Sequence, residues 1–341
     1  MERLEFLKKN TIEWREYSAP KITEKNQAIV KPLVVSRCDL DLPIVRGETL
    51  FRPPFPLGHE FIGEIVSLSD DIAEQYSIGS KVAVSFQISC GTCPVCRSQH
   101  SQSCSSVPLS SNYGIGKSGN QFGGAISEAV LVPYAKQMLF PIQEKTNLLS
   151  IASISDNLAE AWKLSGRFLA ENPNRSVLVL GGHASSIGLY TGLLSKFLKA
   201  NSVTYADTNQ KRLAHAEKLG IDVLELREYP RSLVNKYDLI CDASGREEAW
   251  MCGLKSLQFG GTFTTASIFW SNKHPVPFLD LYNSGATIHI ERVHSRETIP
   301  KILHLVEQDG FDPSGVVTKV ANWKDAKDAF VEEETKLVLV Q

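Results

Sequence analysis

Four cysteines, Cys90, Cys93, Cys96 and Cys104, stand within fifteen residues in a chain that holds 7 in all. Their pattern, C-x2-C-x2-C-x7-C, limits what this stretch can become more than any other feature. Thiolates at such intervals can surround one ion tetrahedrally. A closed all-cysteine shell leaves no position open for substrate, so a structural zinc lobe is expected. Gly91, Pro94 and Ser98 supply the turns such a loop requires. An odd cysteine total with this crowding argues against a full disulfide set and for a reducing compartment, the cytoplasm. A nucleic-acid-binding zinc ribbon would use similar spacing, but only Arg97 and His100 inside the lobe are potentially cationic.

The chain's 341 residues leave room for roughly two domains, each able to bury a core. Apolar residues make up 43% and charged residues 22%, too apolar for a disordered chain. Lys and Arg total 36 against 38 for Asp and Glu, so no basic excess draws it to nucleic acid or anionic membrane. The opening Met1-Glu2-Arg3-Leu4-Glu5 carries acids and no apolar run, so no secretory leader is expected. No apolar stretch reaches the length of about 18 residues that a membrane span needs.

The first 150 or so residues read as β-rich, with apolar stretches at 28–35, 60–68, 81–86 and 129–133 between Gly, Pro and polar clusters. Leu158, Ala161, Trp162, Ser165 and Leu169 then recur at helical spacing, which predicts a linking amphipathic helix. From Ser176 the texture alternates. Strands are expected at 177–180, 203–206, 223–226, 238–241 and 262–266, with helices over 187–198, 210–219 and 247–257. Such alternation implies right-handed crossovers and a doubly wound parallel sheet. The tail holds one helix, 299–308, and short strands ending at 337–340, and its texture matches the first domain's.

Gly181-Gly182-His183-Ala184-Ser185-Ser186-Ile187-Gly188 follows the 177–180 strand. A tight glycine turn there aims the next helix N-terminus at a pyrophosphate. The usual G-x-G-x-x-G is absent: Gly182 to Gly188 is six residues, and Ser185 and Ser186 stand where a second close-approach glycine belongs. Their hydroxyls can donate to phosphate or simply cap the helix. Asp207 closes the second strand, where a carboxylate accepts hydrogen bonds from an adenosine ribose and repels a 2′-phosphate, which favours NAD over NADP. The alternative is an aspartate that caps the next helix. Arg212, one helical turn on, completes the candidate cofactor set of Gly181, Gly182, Ser185, Ser186, Ile187, Gly188 and Asp207.

Cys38-Asp39-Leu40-Asp41 and, twenty-one residues after Cys38, Gly58-His59-Glu60 offer a thiolate and an imidazole. With a third donor these make an open zinc site able to hold water or substrate. Taken in order with Ile44-Val45-Arg46-Gly47, Phe61-Ile62-Gly63, the four-cysteine lobe, Gly123-Gly124-Ala125-Ile126-Ser127-Glu128, Val132-Pro133 and the glycine turn, the chain resembles the zinc-dependent alcohol and polyol dehydrogenases of the medium-chain dehydrogenase/reductase superfamily over its whole length. The resemblance implies a GroES-like β-rich catalytic domain, residues 1–153 and 295–341, around an inserted Rossmann cofactor domain, residues 154–294, with the active site in the cleft between them. It makes Cys38 and His59 the first two ligands of a catalytic zinc. Asp156 stands where the polyol-type enzymes carry a ligating Glu, Glu60 is a neighbour that can approach the metal, and Asp41 orients the histidine. It implies hydride transfer between an alcohol, polyol or sugar hydroxyl, or the matching carbonyl, and NAD(H). A homodimer or homotetramer joined through the cofactor sheets is implied too, with Thr287-Ile288-His289-Ile290 as the candidate edge strand.

Three positions depart from the family pattern, among them Asp39, which stands where a Gly or a cation near the cofactor pyrophosphate is usual. Leu40 and Pro43 stand where a Ser or Thr and a His pass the alcohol proton outward, and neither can carry one. This leaves a zinc-free-type reductase of activated alkenes or quinones, or a non-catalytic NAD-binding relative, as the alternatives.

Overall fold

Val177, Leu178, Val179 and Leu180 carry no polar side chain and are fully buried, as a strand covered on both faces must be. In the computed structural model, which describes residues 1–271 and 273–341, they form the centre of a six-stranded parallel sheet. The chain divides into two units, residues 1–159 with 293–341, and residues 160–292. The first boundary falls after Ala159, six residues beyond the one expected, which keeps Asp156 in the first unit.

In the first unit β1 (Glu2–Lys8), β2 (Thr11–Glu16) and β4 (Phe55–Pro56) make a three-stranded sheet, and β3 (Ala28–Ser36), β5 (Glu60–Leu68), β6 (Lys81–Val84), β7 (Val130–Val132) and β8 (Leu139–Pro141) belong to a larger one. The tail returns β15 (Lys319–Asn322) and β16 (Leu337–Val340) to that sheet, and β16 pairs antiparallel with β3 so that Val338 faces Ser36. Both chain ends therefore build one core. The Arg37 guanidinium secures the closure by donating to the carbonyls of Phe330, Glu332 and Glu334 at 2.6 to 2.7 Å. The β3–β5 ladder slips at Pro32, which has no N–H to give, and each slip bends the strand.

The second unit runs β9 (Ser176–Leu180), β10 (Ser202–Asp207), β11 (Asp222–Glu225), β12 (Tyr237–Asp242), β13 (Leu257–Thr265) and β14 (Thr287–His289). Their order is β11-β10-β9-β12-β13-β14, all parallel. The order reverses between β9 and β12, and such a switch point opens a crevice at the carboxyl ends of the strands. Helices Ser185–Phe197, Gln210–Lys218 and Glu247–Leu254 provide crossovers.

The linking helix is not α-helical throughout. It runs as Asn157–Ala161, a π-helical turn at Trp162–Gly166, and Arg167–Glu171. The wider turn lets the Leu164 carbonyl accept from the Thr264 hydroxyl at 2.9 Å and the Cys241 thiol at 3.4 Å. The helix expected to reach residue 257 stops at Leu254, because β13 already begins at Leu257.

Candidate metal centres and cofactor site

β3 ends at Ser36, so Cys38 sits on the turn that follows, and β5 begins at Glu60, one residue after His59. Gly58 makes the approach to His59 possible. Its φ is +89°, and a Cβ there would lie 2.7 Å from the Ile126 backbone nitrogen. The third donor arrives on the turn before helix Asn157–Ala161, tied to β3 by a 2.9 Å hydrogen bond between the Ser36 and Ser153 hydroxyls. The structure thus brings the Cys38 sulfur, a His59 ring nitrogen and an Asp156 oxygen within 4.8 Å of one another. His59 Nε2 is 3.2 Å from Asp156 Oδ2, and His59 Nδ1 is 3.7 Å from Asp41 Oδ1. The other Asp41 oxygen accepts the Cys38 backbone N–H at 2.8 Å, and the Leu40 N–H donates to the Cys38 sulfur at 3.5 Å.

The electrostatics of this cluster call for a cation. Burial, with Asp156, Asp41 and Glu60 nearby, pushes the Cys38 thiol well above its ordinary range. Burial works against an imidazolium at His59, yet Asp41 and Asp156 outweigh it and raise the ring to about 9. Anion-forming groups crowded away from water require a compensating positive charge, and a soft-plus-hard set of S, N and O donors suits zinc. The residues fit that metal.

Glu60, expected to approach the metal, is held elsewhere. Its Oε1 accepts the Asn157 backbone N–H at 2.6 Å and its Oε2 accepts from Lys336 Nζ at 2.7 Å. Lys336 also donates to the Arg37 carbonyl at 2.9 Å. Sequence reasoning missed Lys336 and Asn157. Lys336 lies 276 residues from Glu60, so no local spacing marks the pair.

The four-cysteine lobe is the second centre. Cys90, Cys93, Cys96 and Cys104 place their sulfurs within 4.8 Å of one another, with no disulfide formed. Backbone N–H groups of Thr92 and Cys93 point at the Cys90 sulfur at 3.4 and 3.3 Å, and that of Cys96 at the Cys93 sulfur at 3.4 Å. Ser105 and the Cys96 N–H draw the Cys93 thiol down to about 5, which favours a ligating thiolate.

In the second unit Gly181 and Gly182 leave β9 under close constraint. A Cβ on Gly182 would lie 2.4 Å from the Ser244 carbonyl oxygen, because the turn after β12 crosses directly beside it. His183 and Ala184 donate their N–H groups to the carbonyls of Ser244 and Ala243, both at 3.0 Å, which ties the two turns together. Helix Ser185–Phe197 then starts with Ser185, Ser186 and Ile187, and its N-cap, Ala184, makes no side-chain capping hydrogen bond. Gly188 packs the helix against Tyr205, whose ring carbon would be 3.1 Å from an added Cβ. Asp207 closes β10 and is paired with Arg212. Arg246 reaches the same loop through Thr208, and neither it nor Tyr205 was anticipated.

Residues 24–144 match the alcohol dehydrogenase GroES-like domain and residues 186–308 the zinc-binding dehydrogenase domain, which together account for most of the chain. The chain belongs to the zinc-binding alcohol dehydrogenases of the medium-chain dehydrogenase/reductase superfamily. Among curated relatives of this family member, a glutathione-independent formaldehyde dehydrogenase of Bacillus subtilis is 31% identical over 210 residues, 60% of this chain and 50% of that protein. The match thus spans half the relative's length. An L-threonine 3-dehydrogenase of Coxiella burnetii is 26% identical over 323 residues, 90% of this chain and 88% of that one. In fold the chain is similar to the alcohol dehydrogenase TADH from Thermus sp. ATN1, with a TM-score of 0.89 and 24% identity over 100% of this chain and 99% of that one.

Proposed function

We propose that the chain is a zinc-dependent oxidoreductase that moves a hydride between NAD(H) and the hydroxyl of an alcohol, polyol or sugar, or the matching carbonyl. One observation carries this reading: the buried Cys38, His59 and Asp156 present three donor atoms within 4.8 Å of one another. Three protein ligands leave a fourth position for a substrate oxygen. When bound, the zinc supplies Lewis acidity that eases deprotonation of a hydroxyl, and the dinucleotide supplies the hydride acceptor. The protein's own part is orientation. Asp41 fixes the turn that carries Cys38 and faces the His59 ring, and the Leu40 N–H supports the thiolate.

The proton path favours one substrate class. Leu40 and Pro43 offer no transferring group, and Glu60 is held by Lys336 and Asn157. A neighbouring hydroxyl of the substrate itself, or water, must then relay the proton, which points to polyols and sugars before simple alcohols. Formaldehyde and L-threonine, named for two relatives, are likewise small oxygenated molecules.

Elemental analysis of protein purified without chelator tests the reading. About two zinc ions per chain are expected, falling to about one in His59→Ala, with loss of NAD-linked turnover on polyols, sugars and secondary alcohols. A single ion that added zinc does not raise would overturn it in favour of a zinc-free-type reductase.

We also propose that the chain works in the cytoplasm, on its reduced cysteines, and as a homodimer or homotetramer. The edge strand β14 and the exposed Phe278, Leu279, Tyr282 and Ile290 beside it support self-association. Among the described residues no helix is long and apolar enough to cross a membrane.

A further inference from the structure

The chain leaves the first unit after Ala159 and re-enters it at Val293. Both residues are buried, and they form one apolar cluster with Phe86. The Phe86 ring packs against the His59 ring, with centroids 5.3 Å apart and planes at 50°. Asp41 and Asp156 face the two nitrogens of that imidazole, so Phe86 adds a contact that neither carboxylate supplies. Ala159 lies on helix Asn157–Ala161, which follows directly on Asp156. One small cluster, all within the first unit, therefore touches the ring of one candidate ligand and the helix that carries on from another.

Gln87, the residue after Phe86, fixes where Val293 sits in that cluster. Its Nε2 donates to the Val293 carbonyl at 3.0 Å, and its Oε1 accepts the Ser295 N–H at 3.2 Å, across 206 and 208 residues of sequence. A primary amide offers a donor and an acceptor together, so it can grip a passing backbone as a neighbouring strand would. The grip is itself anchored. The Phe86 carbonyl accepts the Tyr113 N–H at 3.1 Å, and the Ile88 N–H donates to the Ser111 carbonyl at 3.0 Å. Gln87, Val293 and Ser295 are all buried. An apolar side chain at 87 could fill the same space, but it would strand the Val293 carbonyl and the Ser295 N–H away from water. It would also leave Val293 free to slide along Phe86.

We propose that Gln87 is a positioning residue for the catalytic metal site. By pinning Val293 against Phe86 it keeps the His59 ring and the Asp156 turn in the relative placement that three-donor coordination requires. The proposal rests on Cys38, His59 and Asp156 holding zinc. Two measurements on the full chain test it without any need for turnover: the rate at which zinc passes to a chromogenic chelator, and the visible absorption of the cobalt(II)-substituted protein. The ion held by Cys38, His59 and Asp156 is the one that Cys38→Ser lacks, and the cobalt spectrum is read as the difference from that variant. Gln87→Met keeps the length of the side chain and loses both hydrogen bonds. It should release that ion about tenfold faster or more and shift its cobalt band, while the ion of the cysteine lobe leaves at the parent's rate. Gln87→Asn keeps the amide one methylene shorter and should recover part of the loss, and it carries the same comparison if Gln87→Met does not fold. A lower melting temperature with an unchanged release rate and cobalt spectrum would make Gln87 a packing residue only and overturn the proposal. A parent chain that holds only the lobe ion, with or without added metal, overturns the three-donor site and the positioning role with it.

Discussion

Lys336 Nζ donates to Glu60 Oε2 at 2.7 Å, and both side chains are fully buried. The pair links the returning tail to the residue that follows His59. Removing one member leaves the other charged and uncompensated, which costs about 3–5 kcal/mol, whereas replacing both is far less costly. Lys336→Met should therefore destabilise the protein by that amount in urea unfolding, and Lys336→Met with Glu60→Gln should recover more than half of it. A single variant as stable as the parent would mean that the pair holds nothing together.

That pair also marks where reading the sequence stops. The cysteine lobe was legible because its four ligands lie within fifteen residues, and the parallel sheet because strand-forming and helix-forming runs alternate from β9 to β13. Cys38 and His59 were legible through their flanking motifs. Lys336 was not, since a lysine ahead of an apolar strand ordinarily stays in water and its partner is most of a chain length away. The π-turn at Trp162–Gly166 was hidden for a different reason. One extra residue in a turn barely disturbs an apolar periodicity, and its cause is the tertiary hydrogen bonding of Leu164. Asp207 stood at the expected strand end, but only the folded structure reveals five donors on its oxygens.

The two metal centres should separate on loss. Cys96 belongs to a closed shell of four buried sulfurs, and Cys38 to a three-donor set on an already packed sheet. Cys96→Ser and Cys38→Ser should each lower the zinc content by about one ion per chain. Only Cys96→Ser should lower the melting temperature substantially, because a structural site contributes its binding energy to folding. Turnover should vanish in Cys38→Ser with the fold intact by circular dichroism. Equal destabilisation by both variants would deny the division of labour.

Asp238 gives the second unit an acid-sensitive tie. Its Oδ2 accepts both the backbone N–H of Ser176 at 2.8 Å and its hydroxyl at 2.6 Å, which joins the start of β9 to β12. Partial burial works against the carboxylate, but Ser176 outweighs it and Asp238 titrates below its ordinary range. A depressed acid stabilises the fold fully above its unfolded value of about 3.9 and loses that contribution as the pH falls through the native value. Ser176→Ala should return Asp238 toward the ordinary range by NMR titration and cost about 1 kcal/mol near neutral pH. The Ser176 hydroxyl also accepts the Asp238 backbone N–H at 3.0 Å, a bond whose loss does not depend on pH. The deficit should therefore shrink once the pH is low enough to protonate Asp238 in both proteins, and a deficit of unchanged size there would show that the charge of Asp238 contributes nothing to it.

Leu40 is the sharpest test of the chemistry. It packs its side chain against the first unit's core while its N–H supports the Cys38 sulfur, so the position serves structure and leaves the proton no hydroxyl. Loss of a positioned acid–base group typically costs about 10² to 10⁴ in rate. If proton departure limits simple alcohols, which cannot relay through a neighbouring hydroxyl, Leu40→Thr should raise their turnover by at least about tenfold. Polyols that carry their own vicinal hydroxyl should gain much less. The Leu-to-Thr exchange removes apolar contacts and should cost about 1 kcal/mol of stability, which thermal unfolding can register independently of rate. An unchanged rate on simple alcohols, with the variant folded and its zinc retained, would place the slow step elsewhere and remove the argument for a polyol or sugar substrate.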